Sequence, residues 1–532
     1  MIETVKDAQQ SKSAGRIEGG IDAIVIGAGV DGLAAAAYLG KAGLHTVLIG
    51  AGKEIGGRIA AREIAPGVSG VDGEHLVTVL DTEVIADLDL YRHGLEYAAR
   101  RLDTTYFFDS GDVLRFDGDL AQAALLSLDD DGDRETLEKF MGEVLEVAAF
   151  LRPAFTPAAF HSADAGHQRA LEKALGAASP ELAARIRQML FSSADEVLRA
   201  RFGDGPLRTL LLAEAAFRSA ASPHEPFSFM SLVRRFAGEA AGLQGAAAYP
   251  AGGALSVVTA LRRAAQLAKV DVRAATPVTS ILIEGDRVAG VTLQDGGQLR
   301  APIVVAAVDA AQTFLKMIGP ASIDIELQRM LTARRAEIST ARMQIVLKGV
   351  AQDDATRRNM MRRLFYAPAP ELISAAFIDA RAGRVPERLI VEAVFPTALD
   401  EGAALDKRQV MSVMAHPLPF DEKPDAARRE EVRTAILDSI EMFAAGFSGR
   451  VEAEDLRLPS DEASATGASA AAYAARPDLL RQLAIANAVA GAGRINGLCF
   501  CGPEAQIGAG LSCASGRAAA KAALRAFRRS AP

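Results

Sequence analysis

The chain has 532 residues, half of them apolar, which is too long for one hydrophobic core, so two closely linked domains are expected. Its formal net charge of −8 argues against a nucleic-acid partner, and no run of about 18 apolar residues would span a bilayer as a helix. Three cysteines, Cys499, Cys501 and Cys513, point to reduced thiols rather than a disulfide framework, and no His/Cys cluster has the spacing of a metal site.

Residues 1–20 are polar and mixed in charge, with no apolar h-region. They read as a flexible tail on a cytoplasmic protein, with a peripheral membrane contact left open. From Ile21 to Arg58 the text is IDAIVIGAGVDGLAAAAYLGKAGLHTVLIGAGKEIGGR. A strand at Ala23 to Ile26 turns through Gly27-Ala28-Gly29-Val30-Asp31-Gly32 into an alanine-rich helix. Gly43 stops the helix, and a second strand, Thr46 to Ile49, follows. This strand–glycine turn–helix–strand context gives the G-x-G-x-x-G spacing its meaning. Gly27 permits the tight turn, Gly29 leaves room for a pyrophosphate, and Gly32 lets helix and strand approach. Bare amides and the helix dipole then favour phosphate. The plainer alternative is an ordinary glycine-rich turn.

Just past the second strand come Gly56-Gly57 and Arg58. With that addition the run resembles the N-terminus of the FAD-dependent amine oxidase and phytoene desaturase superfamily. The resemblance implies FAD, with the Gly56, Gly57 and Arg58 segment touching the nucleotide. One departure stands out. The family ends its second strand with an acid that bonds the adenosine ribose, and here that position is Gly50. Loss of such a bond costs ~1.5–3 kcal/mol, so weakened but surviving binding is expected. Glu54 is the nearest acid.

Further along, Pro66-Gly67, Asp72-Gly73, His75 and Arg92-His93-Gly94-Leu95 resemble the phytoene desaturase-related branch. Asp72 to His75 could then approach the flavin, or His75 could be a loop residue bonded to backbone. Thr104 to Phe116 reads as a hairpin around Ser110-Gly111-Asp112, and Asp129 to Asp133 as an acidic turn capping a helix over Arg134 to Leu151. Pro153 to Phe160 is expected to break that helix. Phe150, Phe155 and Phe160 suit either core or the mouth of an apolar channel. Residues 168–240 read as helical, with Leu182, Ile186, Met189 and Leu190 on one stripe. They should form a cap.

Arg234-Arg235 stand where relatives often carry a histidine pair. A surface pair is the plainer reading, and recognition of a carboxylate or phosphate the other. Tyr249, Pro250, Gly252 and Gly253 fit the family. Ala254 to Ala268 reads as a helix, and Val270 to Ala274, Pro277 to Ile283, Val288 to Leu293 and Gln298 to Ala307 as strands. By resemblance the strand at Val278 lays its backbone against the adenine. Phe314 to Leu331 and Arg428 to Phe447 read as helices, and Ala341 to Val350 and Leu389 to Phe395 as strands. Lys348 reads as solvent-facing. Leu498 to Gly502 is a strand that puts Cys499 and Cys501 on one face, better read as small buried residues than as a redox pair. A glycine turn at Gly508-Ala509-Gly510 then leads into an alanine-rich helix, Ser512 to Arg528, which resembles the family's closing motif. Gln506-Ile507 replace a His-Pro pair common in relatives.

The whole implies an α/β fold. A discontinuous Rossmann-like FAD-binding domain takes residues 21–75, 246–310 and 490–528. An α+β substrate domain with a helical cap takes 76–245 and 311–489. The residues expected at the cofactor are Gly27, Ala28, Gly29, Val30, Asp31, Gly32, Gly56, Gly57, Arg58, Val278, Gly502, Gly510 and Leu511. The implied chemistry is hydride transfer on a small hydrophobic, isoprenoid- or polyene-like substrate. An amine oxidase and a catalytically silent flavin-fold binding protein are the alternatives. A homo-oligomer is left open. No catalytic residue can be named from the sequence.

Overall fold

In a computed structural model the described residues are 20–118, 120, 124–125, 131–155, 172–173, 176–333, 336–350, 353–400, 408–475, 479–491, 495–505 and 510–530. The expected tail, Asp129 of the acidic turn, Phe160, Gln506-Ile507 and Gly508 lie outside them, apart from Gly20 of the tail.

The molecule is built on two sheets. The first is a five-stranded parallel sheet in the order Asp271–Arg273, Thr46–Ile49, Ala23–Ile26, Ile303–Ala306, Leu498–Phe500. The runs AIVI, TVLI and IVVA are buried at every residue, as a parallel sheet covered on both faces requires. The alanine-rich helix Val30–Lys41 lies on one face, packed by the helices Leu255–Leu267 and Ala514–Ser530. Short side chains let these backbones come close. The five strands come from three separated stretches of chain, because a parallel pair needs a long crossover.

The second sheet has eight strands in the order Val451–Arg457, Ile338–Leu347, Gln409–Pro419, Ile390–Val394, Arg363–Ala367, Thr104–Phe108, Val113–Asp117, Ala124–Leu125. Helices Asp131–Phe155, Pro180–Phe191, Pro206–Ala216 and Met230–Ala237 share one apolar core with this sheet and form the cap. Ile186 and Met189 are fully buried in it, while Leu182 and Leu190 pack at its margin.

Several expected boundaries move. Gln298 to Ala307 is two strands in two sheets. Gln298–Arg300 pairs antiparallel in a three-stranded sheet, and Ile303–Ala306 joins the parallel one. Pro302 has no amide to donate and marks the crossing. The helix expected to break at Pro153 runs from Asp131 to Phe155. So near its end the ring removes only a last-turn bond. Phe314 to Leu331 divides into a π-helical stretch, Ala311–Ile318, a 3-10 turn, and the helix Ile325–Thr332. Lys348 is exposed as expected, and the three cysteines are buried free thiols. Burial raises all three thiol pKa values. Among the described residues no helix is long and apolar enough to cross a membrane, and no cluster of His, Cys, Asp or Glu could hold a metal.

Candidate functional site

The two glycine corners meet. Gly27, Ala28, Gly29, Val30, Asp31, Gly56, Gly57, Arg58, Gly510 and Leu511 line one cavity of about 200 Å³. At Gly27, φ is +104°, and a Cβ would sit 2.8 Å from the Ala307 carbonyl oxygen. At Gly29 the backbone is ordinary, and an added Cβ would meet nothing within 4 Å. The first position is therefore glycine for the turn, the second for what lies beside it. No side chain caps the helix at Gly29, so its first amides are left for a ligand. The second loop docks directly on the first: the Gly56 amide donates to the Ala28 carbonyl at 2.9 Å.

The remaining expected residues stand behind this surface. A Cβ on Gly32 would lie 1.8 Å from the Gly27 carbonyl oxygen, and one on Gly502 would lie 2.1 Å from that of Val308. Both glycines serve close packing. Val278 sits in the apolar cluster with Ile26 and Ile49 and does not line the cavity. Glu54 is exposed and lines neither this cavity nor the next. Gly50 is crowded, since a Cβ there would be 3.0 Å from the Ala28 Cβ and 3.4 Å from Ile55.

Three arginines meet at the floor of the slot. Glu74 is buried and accepts from Arg218 at 2.7 Å and from Arg58, with Arg342 at 3.8 Å. Burial alone would raise the Glu74 carboxyl, but Arg218, Arg58 and Arg342 overcome it and hold the group well below the usual carboxylate range. Arg342 also donates to Glu462 at 2.8 Å and to the Gly73 carbonyl at 3.0 Å. Next to it, Gln344 donates to the Val71 carbonyl at 3.0 Å. The fully buried strand Ile338–Leu347 thus props the loop Val71 to His75 from behind.

His75 is bonded neither to backbone nor to an open face. Its Nε2 meets Glu392 at 2.8 Å and its Nδ1 meets the Ser412 hydroxyl at 3.1 Å. Glu392 accepts from Arg363 at 2.6 Å, and Arg363 also pairs with Glu214 at 2.5 Å. Tyr106 donates its hydroxyl to Glu214 at 2.7 Å.

A second cavity of about 370 Å³ adjoins the slot, and Arg218 lines both. Arg218 has φ of +65°, a left-handed conformation rarely adopted by a bulky residue, at the junction of the two spaces. Ser512 and Ala514 line the larger cavity, next along the chain from Gly510 and Leu511 of the slot. The positive end of the last helix therefore lies where the spaces meet.

The larger cavity is not lined by apolar groups alone. Leu76, Val79, Leu80, Phe155, Phe217 and Ala237 contribute apolar wall. Six arginines, at 152, 218, 234, 235, 363 and 517, and six acids, at 74, 81, 83, 214, 239 and 392, also line it. Most are committed to one another. Arg152 pairs with Glu239 at 2.8 Å, and Arg517 with Asp81 at 3.0 Å. Arg235 donates to the Gly245 carbonyl at 2.6 Å. Arg234 and Arg235, read plainly as a surface pair, are half-buried, and the amphipathic helix Met230–Ala237 turns both toward the cavity.

Sequence reasoning missed Arg218, Arg342 and Arg363, and took in Glu74 only as part of the stretch Asp72 to His75. One signal was present for Arg342, a lone charge inside the strand text ISTARMQIVL. A charge in a buried run requires a partner.

The slot fits the FAD implied by the resemblance. It has room at Gly29 for a pyrophosphate, uncapped amides beside it, and two helix starts converging. The chain is 27% identical over 490 residues to pyridine nucleotide-disulfide oxidoreductase domain-containing protein 2 of Mus musculus, covering 85% of this chain and 84% of that protein. It is 29% identical over 314 residues to hydroxyneurosporene desaturase of Cereibacter sphaeroides, covering 56% and 58%. Among solved structures, putrescine oxidase bound to putrescine shares the fold at a TM-score of 0.62, with 18% identity over 95% of this chain and 98% of that one. Cyclohexylamine oxidase from Brevibacterium oxydans does so at 0.58, with 19% identity over 96% and 99%. The model of flavin-containing amine oxidoreductases matches residues 32–327, more than half of the sequence, and the chain belongs to that family.

Proposed function

We propose that this FAD-dependent oxidoreductase works by hydride transfer on a C–H bond of a substrate with an apolar, isoprenoid- or polyene-like body, as a desaturase, saturase or isomerase. The observation that carries the reading is the junction of the two cavities at Arg218 and at the start of the last helix. A cofactor in the slot and a substrate in the larger space would meet there. FAD, when bound, supplies the hydride acceptor or donor.

The protein's own residues hold and orient. The amides at Gly29 and Val30 would hold the pyrophosphate, with the Gly56 to Arg58 loop lining the same cavity. Leu76, Val79, Leu80 and Phe217 offer an apolar wall for the substrate body. Both nitrogens of His75 are engaged by the protein, so His75 positions Glu392 rather than taking a substrate proton. The likeness to hydroxyneurosporene desaturase supports an unsaturated chain as substrate. An amine substrate would call for an aromatic cage. The described lining holds two phenylalanines and neither tyrosine nor tryptophan.

Anaerobic mixing separates these readings. Isoprenoid or polyene chains should bleach the flavin absorbance of the purified protein, and simple aliphatic amines should leave it unchanged. Bleaching by the amines alone would overturn the proposal.

A further inference from the structure

Five of the six arginines in the larger cavity are taken by acids or by a backbone carbonyl. Arg234 is not. Among the described residues it has no carboxylate, carbonyl or hydroxyl partner, although its guanidinium lies in the cavity wall. Among the described residues the charge that acts on it is Arg218, of the same sign. Burial, with Arg218 adding, pushes its pKa down to about 10. It therefore remains a cation at neutral pH, held beside another cation.

Its cationic neighbour Arg218 is itself paired with Glu74 at 2.7 Å. Arg234 is half-buried, so its guanidinium faces the cavity with part of its surface open to a ligand. Arg234 lines the larger cavity and not the slot, so the phosphates of FAD are not its counter-ion.

We propose that Arg234 is the anchor for an anionic end group of the substrate, a carboxylate or a phosphate, whose apolar body lies along Val79, Leu80 and Phe217. The planar guanidinium fork suits two-point bonding to either anion. This rests on the larger cavity being the substrate site. It narrows the substrate from an apolar chain to an amphiphile with an acidic head.

The test is calorimetric titration of the FAD-loaded protein with four probes sharing one tail: decanoate, decyl phosphate, decanol and decylamine. At least one anion should bind tenfold or more tightly than decanol, and the better of the two identifies the head group. In Arg234→Met that anion should lose about ten- to a hundredfold in affinity, with flavin content unchanged. Arg234→Lys should keep part of the preference. Ligand-free Arg234→Met should also melt above the parent protein, because it removes a cation held beside Arg218. The proposal is overturned if decanol matches both anions, if decylamine binds best, or if neither anion binds. It fails equally if Arg234→Met keeps the preference or melts lower. A protein that carries no flavin would defeat the oxidoreductase reading, while titration of that flavin-free protein with the same four probes would still report on Arg234.

Discussion

The Asp31 carboxylate accepts a hydrogen bond from the Gly516 amide at 3.2 Å, joining residues 485 positions apart, and takes a second from the Ser515 hydroxyl. An acid from the first helix thereby caps the start of the last one. The sixth-position glycine motif and the closing motif are thus one mechanical unit. The acid inside the glycine turn is also occupied by protein, which limits its repulsion of a phosphate. Asp31→Ala should cost about 1–3 kcal/mol in urea unfolding and weaken FAD binding, whereas Asp31→Asn, which keeps an acceptor, should cost under about 1 kcal/mol. Equal losses for both would show that the cap does not hold the helices together.

Two glycines near this contact should respond in opposite ways. A Cβ on Gly29 meets nothing, whereas one on Gly516 would lie 2.1 Å from the Asp31 carbonyl oxygen. Gly29→Ala should leave the stability of the FAD-free protein within about 0.5 kcal/mol of the parent and lower FAD affinity at least about tenfold. Gly516→Ala should destabilise the fold itself by about 1–3 kcal/mol through overpacking. Unfolding curves and FAD titrations of both variants check the pair.

Glu74 is the shared counter-ion of Arg218, Arg58 and Arg342. Its neutral analogue leaves the half-buried Arg58 and Arg218 without their counter-ion. Glu74→Gln should cost about 3–5 kcal/mol in denaturant unfolding and release flavin. A change under about 1 kcal/mol would show that the network is not holding the floor of the slot.

The pH dependence has a defined sign. His416 is fully buried, and burial pushes its pKa from 6.5 to about 3. The unfolded chain takes up that proton first, so stability is complete above pH 6.5 and falls as pH drops toward 3. Glu74 and Glu392, held below 4.5 in the fold, add their own loss as pH falls beneath 4.5. Urea midpoints measured downward from neutral pH should therefore fall from 6.5 and steepen below 4.5. His416→Gln should remove the first part of the fall and leave the second.

The parallel sheet and its glycine corners were legible because backbone needs dictate the residues. Only glycine fits at Gly27, and four-residue apolar runs such as AIVI signal strands buried on both faces. The cap helices showed through their periodicity. The floor of the slot did not. Arg58, Glu74, Arg218 and Arg342 meet from four distant positions, and no local pattern records which acid a given arginine will find. Arg234 was misjudged for a related reason. Two adjacent arginines look alike in text, but one finds the Gly245 carbonyl and the other has no partner among the described residues. Gly50 read as a missing ribose contact. The structure adds that Ala28 and Ile55 crowd that position, so a larger residue would need its neighbours to move.

The central claim is that the corners at Gly29 and Gly510 form one FAD site, and the FAD content of the purified protein tests it most directly. The account predicts a yellow protein that releases about one FAD per chain on denaturation, with Gly29→Ala folded but depleted of flavin. A colourless, folded protein that takes up no added FAD would contradict it.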